Sequence, residues 1–236
     1  IPAHNESAGI ADCILSVVNS GYPKGRYEII VINNASTDNT AGAVDEVASA
    51  HKDVKIVLIN TPIKGKAAAL NLAIGKATEE FFACVDADSR VTQGSIQRIL
   101  RNFQDESIAA AISSIKVDSP RRLLQRMQRI EYLSSIVLRS ILSVMGTLYI
   151  TPGVLSVYRT SVLKKVGGFD VGNLTEDFEI GLRLRAAGYT IRADADCITY
   201  TTVPGTLAGL FEQRVRWAHG FFLNAFKYRR LFFNKK

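Results

Sequence analysis

Apolar residues in the first half of the chain follow two different periods. Segments in which they recur every three or four residues indicate helices, and four such segments are found, at 10–18, 44–48, 67–77 and 96–103. Shorter, nearly continuous apolar runs indicate buried strands, at 27–33, 54–59, 81–85 and 108–117. Strands that alternate with helices predict an α/β fold with a central, mixed and mostly parallel sheet flanked by helices.

The second half of the chain is less regular and contains three predicted helices. Two of them cover 177–187, ended by Gly188, and 207–226. The longest covers 120–146 and carries apolar residues beside Arg121, Arg122, Arg126, Arg129 and Arg139. Such a segment either lies at a membrane surface or packs on the sheet with its arginines in solvent, and the pattern does not choose between them.

The uncharged run 140–158 approaches the length of a membrane span. Gly146, Pro152 and Gly153 interrupt it, so we do not expect it to cross a membrane. The chain begins at Ile1 rather than at a methionine, and we expect it to be part of a longer membrane protein whose spanning segments lie outside it.

Composition describes ordinary globular material. With 236 residues, 47% of them hydrophobic and 22% charged, the chain is long enough to bury a full core, and we expect a single domain over 1–236. A net charge of +7 favours an anionic partner. No nucleic-acid-binding module is recognisable, so we expect no nucleic acid. Cys13, Cys84 and Cys197 are far apart, which favours neither a disulfide framework nor a zinc site.

Two carboxylates, Asp86 and Asp88, follow the predicted strand 81–85. Ligands of open α/β sheets bind outside the carboxyl ends of strands, which is where this pair is expected. A hard cation such as Mg²⁺ or Mn²⁺ prefers oxygen ligands of this kind together with substrate phosphates. The alternative is a polar turn after a strand.

The segment Thr175-Glu176-Asp177 opens a predicted helix. It has a structural interpretation, since a threonine N-cap followed by acidic residues stabilises a helix start. It also has a functional one, in which Asp177 takes a proton from an acceptor hydroxyl. Both can hold at once.

On the last predicted helix, Gln213, Arg216 and Trp217 lie three and four residues apart and so share nearly one face. A guanidinium can neutralise a diphosphate leaving group, and an indole can stack on a sugar ring. The alternative is an ordinary surface helix. Lys64 and Lys66 flank Gly65 before a helix, where phosphate could bind, although the segment is not a P-loop.

Six segments together resemble the ordered motifs of family 2 glycosyltransferases, and in particular its processive membrane polysaccharide synthases. They are 2–6 (PAHNE), 31–38 (VINNASTD), 64–71 (KGKAAALN), 86–88 (DAD), 175–177 (TED) and 213–217 (QRVRW). The resemblance implies a GT-A fold and an inverting transfer from a nucleoside diphosphate sugar to a carbohydrate acceptor.

The resemblance also implies roles for individual residues. Asp88 would hold a divalent cation, Mg²⁺ or Mn²⁺. Asp177 and Glu176 would be the catalytic residues, with Asp177 as the base. The remaining residues would bind substrate: Pro2, Ala3, Glu6, Asn34, Asp38, Lys66, Asp86, Gln213, Arg216 and Trp217. The family usually has Asp-Asp where this chain has Asn33-Asn34, and an amide oxygen still accepts a hydrogen bond from a nucleotide base. We therefore expect a nucleoside diphosphate sugar, with UDP as the first choice of nucleotide.

Three functions remain open. The first is a polysaccharide synthase domain on the cytoplasmic side of a membrane. It would have a nucleotide-sugar-binding half (1–118) and an acceptor-binding half (119–236). It would contact the membrane through flanking spans and through the segment 121–145. The second is a non-processive transferase that adds one sugar to a lipid or protein. The third is a nucleotide-sugar-binding module without catalysis, which is suggested by Asn33-Asn34 in place of the family's usual Asp-Asp.

Overall fold

Three parallel strands form the first sheet of the computed structural model, which describes residues 1–233. In spatial order they are β1 (Pro2–Ala3), β2 (Glu28–Asn34) and β3 (Lys55–Thr61). Pro2 is paired with Ile32, and Asn34 with Thr61, so the carboxyl ends of β1, β2 and β3 lie at one edge.

Helices connect and cover these strands. They are α1 (Ile10–Val18), α2 (Thr40–Ala50) and α3 (Lys66–Lys76). In α1 the five apolar residues that share one face in the sequence are all buried, which confirms the predicted period: Ile10, Cys13, Ile14, Val17 and Val18. The helix therefore forms because one face has a sheet to cover.

Five strands form the second sheet. They are β4 (Phe81–Cys84), β5 (Ser89–Val91), β6 (Ile108–Val117), β7 (Ser156–Arg159) and β8 (Thr190–Thr201), in the spatial order β4-β7-β6-β8-β5. Only β6 and β8 pair in parallel; the other three pairings are antiparallel. All residues of β6 except Lys116 are buried, which explains its continuous apolar run.

The predicted α/β fold with a mixed sheet is confirmed, with parallel pairing throughout the first sheet and antiparallel pairing prevalent in the second. All seven predicted helices and all four predicted strands are present. The later helices are α4 (Ser95–Leu100), α5 (Leu123–Val144), α6 (Thr160–Lys165), α7 (Glu176–Ala186), α8 (Leu207–Lys227) and α9 (Arg229–Phe233).

Sequence reasoning missed β1, β5, β7, β8, α6 and α9. The longest of these, β8, is irregular: its register against β6 shifts between Ser113 and Ser114, opposite the polar segment 194–198. Asp194 and Asp196 occupy that shift, which breaks the apolar alternation by which a strand is recognised.

The long helices α5 and α8 are the exception to apolar burial. In α5 only Gln128 and Ser143 are buried, whereas Leu123 and Val144 are 75% and 83% exposed. Polar bonds hold α5 to the rest of the domain, such as Gln128 Nε2 to the Pro204 carbonyl at 2.9 Å. Within residues 1–233 no helix combines the length and apolarity of a membrane span.

Gly181 in α7 provides a test of this packing. A Cβ atom there would overlap the backbone carbonyl of Tyr149, which cannot move aside as a side chain can, whereas a Cβ at Gly75 in α3 would meet nothing within 4 Å. We expect Gly181→Ala to lower the free energy of unfolding by about 1–3 kcal/mol, and Gly75→Ala to raise it by about 0.5–1 kcal/mol through helix propensity. Urea unfolding measures both, and equal effects would contradict the packing described.

Candidate active site

Lys66, the first residue of α3, is the central cation of the site. Its Nζ atom lies 2.5 Å from Asp86 Oδ1 and 3.2 Å from Glu176 Oε1. Burial alone would lower the pKa of Lys66, but the carboxylates of Asp86 and Glu176 outweigh it and raise that pKa well above its usual value. The side chain is therefore a permanent positive charge between two anions.

The position of Asp86 follows from the backbone around it. Asp86 comes directly after β4, and its N–H donates to the carbonyl of Gly153 at 2.8 Å. A Cβ atom at Gly153 would lie 2.5 Å from both Asp86 Oδ1 and Lys66 Nζ. Only glycine leaves room there for the ion pair.

Asp177 lies in the first turn of α7. Its carbonyl accepts a hydrogen bond from Thr151 Oγ1 at 2.8 Å, and its Oδ1 accepts one from the N–H of Phe178 at 2.9 Å. Burial, and then the negative charge of Glu176, raise the pKa of Asp177 to about 6, although Lys66 opposes the shift. A carboxylate with this pKa can both accept and release a proton near neutrality.

The structure supports only in part the alternative that Thr175-Glu176-Asp177 is a simple helix cap. Thr175 is the N-cap residue of α7, but its side chain makes no capping hydrogen bond. Its hydroxyl instead accepts from Asn224 Nδ2 at 3.0 Å. Glu176 and Asp177 do occupy the positive end of the helix.

A second group of carboxylates surrounds Asp88. Asp88 Oδ2 accepts from Thr202 Oγ1 at 2.9 Å. Burial, and then the charge of Asp86, raise the pKa of Asp88; burial, and then Asp88 and Asp86, raise that of Glu6. Mutual repulsion of this kind is what a bound divalent cation relieves. Residues 1–233 contain no cluster of three or more His, Cys, Asp or Glu able to hold a metal ion.

Two cavities adjoin at these charges. The smaller, of about 350 Å³, is lined by Pro2, Ala3, His4, Glu6, Asn34, Lys64, Gly65, Lys66, Asp86, Ala87 and Asp88. The larger, of about 550 Å³, is lined by residues of α5, α7, α8 and the loop before β7. Both include Lys66, Asp86 and Asp88 in their walls, so the two cavities form one cleft with these charges at the junction.

The wall of the larger cavity contains Gln213, Arg216 and Trp217 of α8. Arg214 lies over the indole of Trp217, 4.5 Å from the ring centroid, and binds Glu131 of α5 at 2.8 Å. The indole is thereby held by a cation that is itself anchored. Gln213 Oε1 is buried without a partner among the described residues.

Among the residues predicted to bind substrate, Asp38 alone lines neither cavity. Its carboxylate accepts instead from the N–H groups of Ser7 and Thr40, both at 3.0 Å. These bonds explain its place in the loop before α2 without a ligand. The other predicted residues are brought together in the cleft, and their individual roles stay predictions.

Asn33 and Asn34 differ in their surroundings. Asn33 Nδ2 donates to Asn60 Oδ1 at 2.7 Å. Asn34 is 5% exposed, lines the smaller cavity, and its Oδ1 has no partner among the described residues. An unpaired buried amide oxygen is available to a ligand.

Sequence reasoning missed the contribution of α5 to the larger cavity. Six of its residues line the wall at helical spacing: Glu131, Tyr132, Ser135, Leu138, Arg139 and Leu142. Burial lowers the pKa of Arg139, while the nearby Tyr132 and Asp177 oppose that effect. The spacing of 132, 135, 139 and 142 was the available signal, but the apolar residues of α5 concealed it.

The chain is similar to known proteins in both sequence and fold. The model of the family "Glycosyl transferase family 2" matches residues 1–167. Poly-beta-1,6-N-acetyl-D-glucosamine synthase of Staphylococcus epidermidis is 33% identical over 222 residues, which is 93% of this chain and 53% of that protein. The same enzyme of Staphylococcus aureus (strain COL) is 32% identical over an equal span. The chain thus spans about half the length of the curated relatives it matches.

Two solved structures share the fold. Mannosyltransferase PcManGT from Pyrobaculum calidifontis, in complex with GDP-Man and Mn²⁺, superposes with a TM-score of 0.84 at 25% identity, covering 100% of this chain and 63% of that one. TarS 1–349 of S. aureus, in complex with UDP-GlcNAc, gives a TM-score of 0.67 at 18% identity, covering 87% of this chain and 58% of that one.

The raised pKa of Asp177 has a consequence for stability. Because the pKa lies above the usual value of 3.8, the fold prefers the protonated carboxyl; this stability is present below about pH 4 and is lost as the pH rises through about 6. Asn cannot ionise. We expect Asp177→Asn to be more stabilising at pH 8 than at pH 4, by about 1–3 kcal/mol. Urea unfolding at the two pH values measures the difference, and a pH-independent effect would contradict the assignment.

Proposed function

Because the chain belongs to glycosyl transferase family 2 and has the GT-A fold, we propose that it is the catalytic domain of an inverting polysaccharide synthase. It moves a sugar from a nucleoside diphosphate sugar to a hydroxyl of the growing polymer. The observation that carries the proposal is the position of Asp177, a carboxylate with a pKa of about 6 in the wall of the larger cavity. Its neighbour Glu176 is bound by the lysine that both cavities share.

The smaller cavity is the proposed donor site. Its walls come entirely from residues 2–88, within the half that the sequence predicts to bind nucleotide sugar. Pro2 and Ala3 would line the nucleotide, and the unpaired Asn34 oxygen would accept a hydrogen bond from its base. The TarS structure contains UDP-GlcNAc and the Pyrobaculum structure GDP-Man, and UDP is the first candidate for this chain.

A divalent cation fits the carboxylates at the junction. Asp88, with Asp86 and Glu6 near it, presents the hard oxygen ligands that Mg²⁺ and Mn²⁺ prefer. When bound, the cation would neutralise charge that develops on the diphosphate. The presence of Mn²⁺ in the Pyrobaculum complex supports this part of the proposal.

The chain's own residues account for the proton and the leaving group. Asp177 takes the proton of the acceptor hydroxyl while that oxygen bonds to the anomeric carbon, and the bond from this carbon to the diphosphate breaks on the opposite side. Arg216 and Lys66 offer positive charge to the departing diphosphate. Trp217 offers a flat apolar face to the acceptor sugar. One displacement inverts the anomeric centre without a covalent intermediate.

The domain is proposed to work at the cytoplasmic side of a membrane. Basic residues accompany the exposed apolar side chains of α5, which suits an anionic lipid surface, and the curated relatives are about twice as long as this chain. Non-processive transfer to a lipid or protein is the second candidate, because the larger cavity also has apolar walls at Leu138, Leu142 and Phe221. Product length separates the two.

The Asp177→Asn variant tests the reaction. Asparagine keeps the size of the side chain but cannot accept the proton, so sugar transfer from a labelled donor should fall about 10²–10⁴-fold. Donor affinity should persist, because Asp177 lies outside the smaller cavity. Unchanged turnover would exclude Asp177 as the base. Donor binding without transfer or hydrolysis by the wild type, across a panel of donors and acceptors, would leave only a binding module.

The Asp88→Asn variant tests the cation. Removing one negative charge from the junction should raise the Mn²⁺ concentration needed for half-maximal activity by about tenfold or more. Asp45→Asn, at an exposed position of α2, is the matched control and should behave as the wild type. Titration of activity with Mn²⁺ after EDTA treatment gives both values. Equal Mn²⁺ requirements for the two variants would rule out Asp88 as the ligand.

A further inference from the structure

One stripe of α8 carries both site residues and residues that grip α7. Positions 213, 217, 220, 224 and 227 are spaced by four, three, four and three residues, so they follow one face of the helix. The first two, Gln213 and Trp217, line the larger cavity. The last three contact α7 and the segment before it. Helix α8 therefore both orients the Trp217 indole and makes the contacts with α7.

The first contact is a hydrogen-bonded pair of amides, Asn224 and the partly buried Asn173. Asn224, which is 1% exposed, donates to Asn173 Oδ1 and to Thr175 Oγ1, both at 3.0 Å, and accepts from Asn173 Nδ2 at 2.9 Å. Asn173 Oδ1 also accepts from the N–H of Thr175 at 3.1 Å. Thr175 directly precedes Glu176 and Asp177, so the network ends at the N-cap residue of α7, two positions before the proposed base.

The second contact is ionic and lies one turn further along each helix. The Glu179 carboxylate of α7 has a fully buried side chain, and its Oε1 accepts from Lys227 Nζ at 2.9 Å. Lys227 Nζ also lies 2.8 Å from Asp170 Oδ2. The other oxygen of Glu179 is bound by Arg183. Tyr228 Oη donates to the same Oε1 atom as Lys227, so Lys227, Arg183 and Tyr228 share the compensation of this buried charge. Loss of any one of these partners weakens that compensation.

Gly220 marks the closest approach of the two elements. A Cβ atom at Gly220 would lie 2.9 Å from Thr175 Cβ and closer still to the other Thr175 side-chain atoms. Helix α8 therefore rests directly on the threonine that precedes the base. The close approach at Gly220, the hydrogen bonds of the buried Asn224 and the ion pairs of Glu179 together leave little freedom for α8 to slide along α7.

We propose that Asn224 and Lys227 are positioning residues for sugar transfer. With Thr175 and Glu179 they form a clamp that sets the separation between the Trp217 indole and the Asp177 carboxylate. The inference rests on the proposed function, in which the acceptor sugar lies on the indole and its hydroxyl meets the base. Small misplacements at such a contact cost large factors in rate.

Loosening the clamp has a specific consequence. Water needs no aromatic platform, so it still reaches the donor when the acceptor is misplaced. In that reaction the water oxygen bonds to the anomeric carbon, the bond to the diphosphate breaks, and Asp177 takes the proton. Hydrolysis of the donor therefore persists while transfer to the acceptor declines, and the donor cavity, built from residues 2–88, is unchanged.

The test compares transfer with hydrolysis in the same sample. Asn224→Ala removes the amide bridge and Lys227→Met the ionic one, while Lys227→Arg keeps the charge. His219→Ala, at an exposed position of the same helix, is the control. We expect the ratio of transfer to hydrolysis to fall at least tenfold in Asn224→Ala and to fall in Lys227→Met, with a higher KM for the acceptor and an unchanged KM for the donor. Lys227→Arg should restore most of the ratio.

The ratio separates positioning from folding, because loss of folded protein lowers both rates equally. If Asn224→Ala does not fold, the pair Lys227→Met and Lys227→Arg decides. Wild-type transfer together with unchanged ratios in the variants overturns the clamp alone. If the wild type neither transfers sugar from nor hydrolyses any nucleoside diphosphate sugar, the proposed function fails, and the role of the clamp fails with it.

Discussion

A single ammonium group joins the two cavities. Lys66 Nζ is bound at once by Asp86, at the end of β4, and by Glu176, at the start of α7. Without this cation the carboxylates of Asp86, Glu176 and Asp177 would face one another uncompensated, and repulsion would favour separation of α7 from the sheet. Lys66 lies in the first turn of α3, which covers the first sheet. The first sheet therefore positions the cation that compensates Glu176 and Asp177 in the second half of the chain.

This charge balance is incomplete, because some carboxylates of the cleft lack a positive partner within residues 1–233. The pKa values of Glu6, Asp88 and Asp177 are all raised, in each case first by burial and then by a neighbouring carboxylate. The free protein therefore holds more negative charge in the cleft than its own cations compensate. Uncompensated negative charge costs folding stability. A stable fold tolerates this cost at a site where binding of a ligand relieves the repulsion, which is the usual trade-off between stability and activity.

The sequence was sufficient where a residue's role follows from its place on a regular element. Asp86 follows an apolar strand, and Gln213 and Trp217 share a helical face. That these residues meet in one cleft was implied by the resemblance to family 2 glycosyltransferases. The sequence was insufficient where packing reverses the usual pattern. The apolar residues of α5 face outward, so its cavity-lining Tyr132 and Arg139 were hidden among positions expected to lie in solvent or lipid. Asp38 resembles a ligand-binding residue in sequence, but local backbone donors occupy it.

The outward apolar faces and the cleft are connected through the same two helices. Glu131 of α5 binds Arg214 of α8, and Arg214 lies on the indole of Trp217. Any surface that covers the exposed faces, the proposed membrane included, would therefore contact the two helices that carry the proposed acceptor-binding wall. A shift of α5 relative to α8 would disturb the Glu131–Arg214 pair that supports the indole. It would not directly disturb the smaller cavity, the proposed donor site, because neither helix lines it. Contact with such a surface is thus expected to act on the acceptor side of the reaction and to leave donor binding unaffected.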